Sequence, residues 1–111
     1  MAPGFFCFRN LMYIAAMSKV FLFVEIETLP GKVEEFVEKI QVQAKVIRGE
    51  AGCEFIDVYR NASETNVIHV WEIWADRSSW DAHMANDASK AWKAVASNLV
   101  VGEKITVMNL A

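Results

Sequence analysis

Apolar and polar positions change period several times along this chain, and each change marks a boundary between elements. From Val20 to Glu27 the residues are mostly β-branched or aromatic, and the run stops at Leu29-Pro30-Gly31, a turn signal; this predicts a first strand. Between Lys32 and Arg48 the period lengthens. Val33, Phe36, Val37, Ile40, Ala44 and Ile47 recur at i, i+3, i+4 and i+7, while Glu34, Glu35, Glu38, Lys39 and Gln43 fall opposite. That is an amphipathic helix, closed by Gly49. Cys53 to Arg60 alternates again, and a polar connection from Asn61 to Asn66 leads into Val67 to Trp74. This second member of a hairpin is apolar on both faces, because Ile68, Val70 and Trp74 alternate with Val67, Trp71 and Ile73. Asp76 is placed to cap a helix carrying Trp80, His83 and Met84, which Asn86-Asp87 interrupts and recaps. A further helix runs through Trp92, Val95, Ala96 and Leu99 and ends before Gly102, and Lys104 to Leu110 alternates as a last strand.

The resulting order, β-α-β-β-α-β, defines an α+β class: a ferredoxin-like sandwich with an antiparallel sheet and helices on one of its faces. The second face is also apolar and must be covered. A twin copy is the simplest cover, so a homodimer of the dimeric α/β barrel type is expected. With 111 residues, 54% hydrophobic and 23% charged, disorder is excluded and one domain is indicated. Part of the apolar excess sits in residues 1–17, where 13 of 17 positions are apolar, Arg9 is the only charge and no amphipathic period is visible. No positive residues precede its apolar part, so it does not read as a signal peptide. The expectation is an anomalous extension, with Met17 as a candidate start, in front of a domain covering residues 18–111.

A formal charge of −3 and the lack of a Lys/Arg cluster argue against a nucleic-acid binder. No apolar run reaches 18 residues, so no membrane span is expected. Cys7 and Cys53 lie in no CxxC or Cys/His group, so neither a metal site nor a disulfide scaffold is indicated, and the cytoplasm is the expected compartment.

Several short motifs stand in a fixed order: strand then Leu29-Pro30-Gly31-Lys32 then helix; Glu50-Ala51-Gly52-Cys53 before the second strand; Trp71-Glu72-Ile73-Trp74-Ala75-Asp76; then Asp81-Ala82-His83. From about Lys19 to Leu110 the chain thereby resembles the antibiotic biosynthesis monooxygenase family. That family includes small dimeric enzymes that oxidise quinols or anthrones with oxygen and no cofactor, haem-degrading members, and an isomerase of a small signalling sugar derivative. Haem-degrading relatives carry an Asn on the first strand and a haem-ligating His on the last helix, where this chain has Val24 and Trp92-Lys93, so haem degradation is disfavoured. Other relatives follow the first His with a small hydroxyl residue, Pro and a second His; here the segment reads Asn86-Asp87-Ala88.

The candidate chemistry centres on His83. Oxygenation without a cofactor needs the substrate phenol deprotonated, because an electron-rich phenolate can pass an electron to oxygen, and an imidazole suits the base role. Glu72 lies on the same strand face as Trp74, where it would orient His83 or bind a substrate hydroxyl; the bland alternative for His83 is a bond to a backbone carbonyl or to Glu72. Trp74 and Trp80 are candidate walls of a flat apolar cavity. Asn86, one turn after His83, is either a donor to a substrate carbonyl or a helix cap, and Tyr59 faces either the cavity or the dimer seam. No metal and no cofactor are expected. The leading function is a cofactor-independent monooxygenase using O2 on a small aromatic quinol or phenol. A non-catalytic ligand-binding or stress-associated domain and an isomerase of a small hydroxyketone are the alternatives.

Overall fold

A computed structural model describes residues 18–111; the expectations about residues 1–17, including the start at Met17, lie outside the described residues. Alternation produces β1 (Val20–Thr28), which turns at Gly31 (φ +76°) into helix α1 (Val33–Arg48). The hairpin strands are β2 (Cys53–Arg60) and β3 (Val67–Trp74). Two short helices follow, α2 (Arg77–Ala85) and α3 (Asp87–Ala96), and β4 (Val100–Met108) ends the domain. The sheet order is β2-β3-β1-β4 with every neighbouring pair antiparallel, the ferredoxin-like α+β plan.

The end of the chain departs from the periodic pattern. The last helix stops at Ala96 rather than continuing through Leu99, and the last strand starts at Val100 rather than Lys104. Leu99 is buried in the connecting turn, where its carbonyl accepts the backbone N–H of Leu29. Val100 pairs with Thr28 and Gly102 with Glu27, so Val101 is extruded as a bulge. That extra residue breaks the alternation on which the sequence pattern relied.

Even-numbered residues of β1 face the helices: Val20, Leu22, Val24 and Ile26 are buried with Ile56 of β2 and Ile68, Val70 and Trp74 of β3. Phe36, Ile40, Ala44 and Ile47 of α1 close this core from above. Helix α1 is tied to β2 at both ends, by the paired contacts of Arg60 with Glu34 (2.9 and 2.8 Å) and by Arg48, which donates to the Ile56 carbonyl and to Asp57. The helix-facing side of β4 is left uncovered. Its register places Ile105 beside Val24 and Val107 beside Leu22, yet they are 39% and 52% exposed. The opposite sheet face carries Phe21, Phe23, Phe55, Tyr59, His69 and Trp71, with Phe23 stacked on His69 (5.2 Å) and edge-on to Trp71 (5.6 Å).

Candidate functional site

Two caps bring the site together. Asp76 accepts the Ser79 N–H (2.8 Å) and starts α2, and Asn86 accepts the Ser89 N–H (2.7 Å) and starts α3. The chain bends at Asn86, which has extended backbone, and the bend turns His83 and Asn86 towards one carboxylate, with Ser89 against the imidazole. That carboxylate is Glu50, in the turn between α1 and β2. Its Oε1 lies 2.9 Å from His83 Nδ1 and accepts from Asn86 Nδ2 at 2.8 Å, while Ser89 Oγ lies 3.3 Å from the same imidazole nitrogen. The His83 and Glu50 side chains are 11% and 17% exposed, so water weakens the contact little. A carboxylate only accepts, so Nδ1 carries a proton, and in the neutral imidazole Nε2 is then the nitrogen with the lone pair.

Trp74 has no exposed surface, and its ring stacks on the His83 imidazole with centroids 4.7 Å apart. It backs the histidine rather than lining an open cavity, a correction that follows from its place deep in the core. Its indole N–H donates to Glu72 Oε1 (3.0 Å). Glu72 therefore holds the indole, and the carboxylate that accepts from His83 is Glu50 instead. Burial pushes the Glu72 carboxyl above the usual range, against the indole hydrogen bond and the nearby His83, with Glu103 and Glu50 adding to the rise. Trp80 packs against the core edge with the Arg77 guanidinium 4.7 Å above its ring. Tyr59 lies on the other sheet face, away from His83, and is 47% exposed. Burial also pushes the Cys53 thiol up, with Glu72 contributing, which disfavours the nucleophilic thiolate.

Glu50 is the residue the sequence pattern did not single out. Its signal was present in Glu50-Ala51-Gly52-Cys53, where Gly52 adopts φ +83° and lies so close to α2 that a Cβ would overlap Ser79. A glycine required by such an approach shows that the preceding turn is pressed against the helix that carries His83. Two open depressions of about 370 and 340 Å³ lie elsewhere, one lined by Glu25, Glu64 and Lys104 and the other by Arg48, Phe55 and Asp57. Among the described residues no group of three His, Cys, Asp or Glu could hold a metal, and no helix is long and apolar enough to cross a membrane.

The ferredoxin-like α+β fold that carries this carboxylate-backed imidazole is shared with many solved structures. Within it, the chain belongs to the antibiotic biosynthesis monooxygenase family, whose model matches residues 19–95. Among solved structures it is similar to a conserved protein from Methanosarcina mazei Go1 (22% identity, TM-score 0.82, covering 89% of this chain and 99% of that one). It is also similar to a Pseudomonas aeruginosa protein (19% identity, TM-score 0.80, covering 86% and 97%) and to one from Shewanella oneidensis (20% identity, TM-score 0.80, covering 85% and 92%). No curated protein matches the chain.

Proposed function

We propose that this protein is a cofactor-independent monooxygenase of a small aromatic quinol or phenol, with His83 as the base. The observation that carries the reading is the hydrogen bond from His83 Nδ1 to Glu50, which leaves Nε2 as a proton acceptor on an imidazole held from behind by Trp74. In this reading the substrate ring lies over the uncovered strip of Ile105 and Val107, and Glu72, in the same row as Val107 with Leu22 between them, accepts from or donates to a ring hydroxyl; Trp80 and Asn86 are the further candidate contacts. His83 takes the phenolic proton, the phenolate transfers an electron to O2, and the two radicals combine at a ring carbon. Collapse of the hydroperoxide leaves one oxygen atom as a new carbonyl and releases the other as water, so a quinol becomes a hydroxylated quinone.

The active form in this reading is a homodimer joined through the aromatic sheet face, on which Phe55, Tyr59 and Trp71 are 38%, 47% and 40% exposed. His69 lies on that face. Asn61 Oδ1 accepts the N–H groups of Ser63 and Glu64, so its Nδ2 faces His69 Nε2 (3.0 Å), and the remaining donor, Nδ1–H, is buried on that face with no partner among the described residues.

Oxygen uptake with a panel of quinols and naphthols tests the reading. Wild type is expected to consume oxygen and His83→Ala to lose about a hundredfold or more in kcat/KM, the usual share of a general base. Equal rates for the two would remove His83 as the base. Saturable binding of a panel compound without uptake would favour the ligand-binding alternative, for which the low exposure of His83 is the relevant observation.

A further inference from the structure

Glu50 is an expensive residue for a purely structural role. One of its oxygens takes two donors, from His83 and Asn86, while Oε2 is buried with no hydrogen-bond partner among the described residues. A half-satisfied buried carboxylate costs stability relative to an apolar or fully paired side chain. What the arrangement does achieve is a single orientation for His83. Asn86 is immobilised as the α3 cap through Ser89 N–H, so its amide can only present Nδ2 to Glu50, which in turn fixes the carboxylate under the imidazole. Stacking on the fully buried Trp74 then sets the plane of the ring.

Resting on the proposed base role of His83, we propose that Glu50 is a positioning residue: it holds the imidazole as the Nδ1–H tautomer, keeps the Nε2 lone pair aimed outward, and offsets the positive charge the ring acquires when it takes a proton. Without the carboxylate, Ser89 Oγ is the remaining neighbour of Nδ1 at 3.3 Å, and a serine hydroxyl can donate to an unprotonated Nδ1. The proton then moves to Nε2, and the outward face of the ring becomes a donor that cannot accept from a phenol. Asn86 belongs to the same device, since its cap ties the tautomer to the break between the two helices.

Long-range proton–nitrogen correlation NMR reads the tautomer of each imidazole, and the chain has only two histidines, so His69→Gln assigns the signals. In the full-length protein without substrate, His83 is expected as Nδ1–H in wild type and in Glu50→Gln, whose carboxamide oxygen still accepts, and as largely Nε2–H in Glu50→Ala. Ser89→Ala should keep the wild-type pattern. In oxygen uptake, Glu50→Ala should lower kcat/KM by roughly tenfold or more, by analogy with removal of the partner that orients a metal-bound imidazole, while Glu50→Gln recovers part of it. An Nε2–H signal for His83 in wild type, or an unchanged Nδ1–H signal in folded Glu50→Ala, overturns the proposal. If Glu50→Ala does not fold, the wild-type spectrum still decides. Failure of the base assignment shows instead as full oxygen uptake by His83→Ala and leaves the spectra unaffected.

Discussion

Burial decides the behaviour of individual side chains here more than their type does. Glu72 is the clearest case: its carboxyl is raised above its ordinary value of 4.5, mainly because it is out of water, even though the Trp74 indole donates to it. A raised carboxyl binds its proton more readily in the folded state than in the unfolded one, so its ionisation subtracts stability as pH rises above the unfolded value. Glu72→Gln keeps an acceptor for the indole and removes the charge. Thermal denaturation across pH should therefore show wild type and variant alike below pH 4.5, with the variant gaining as pH increases from there. A difference that does not change with pH would mean that Glu72 is not ionised against a burial cost.

Individual elements meet at two tight points. One is the Asn86 bend, where a cap doubles as a ligand of Glu50. The other is Gly52, whose carbonyl accepts the Ala75 N–H (2.8 Å) and whose missing side chain lets the start of β2 press on Ser79 of α2. Gly31 also has positive φ but faces open space. Replacing each by Ala separates conformational strain from crowding. Gly31→Ala should cost about 1 kcal/mol for the left-handed backbone alone. Gly52→Ala should cost about 1–3 kcal/mol more, because Ser79 must move, and the shift should also disturb the Glu50–His83 contact. Urea denaturation measures both; equal losses would mean the approach of β2 to α2 is not tight.

At the scale of the whole molecule the sheet has two apolar faces and one helical layer. The core face is filled by α1 and the short helices, except over β4, where Ile105 and Val107 remain exposed. The other face carries an aromatic set crossing the strands, with Asp57, Trp71 and Phe23 in one row and Tyr59, His69 and Glu25 in the next. In the proposed homodimer this set meets its own copy. Trp71→Glu puts a charge at its centre and should convert a dimer in sedimentation to a monomer without loss of helix or strand signal. An unchanged sedimentation coefficient would remove this face as the seam.

Periodicity and local residue type determined the element order, the amphipathic face of α1, the Asp76 cap and the two apolar faces of the sheet, because each depends on residues a few positions apart. The motif order from Pro30-Gly31-Lys32 to His83 likewise carried the family. The tertiary structure decided what depends on contacts between distant segments. The bulge at Val101 moved the start of β4 because strand pairing with β1 overrode alternation. The partner of His83 is 33 positions away at Glu50 rather than on the neighbouring strand at Glu72, because the Gly52 turn and the Asn86 bend are pressed together only when the helices pack on the sheet. Spacing along the chain says which residues share a face; only packing says which carboxylate lies beneath which imidazole.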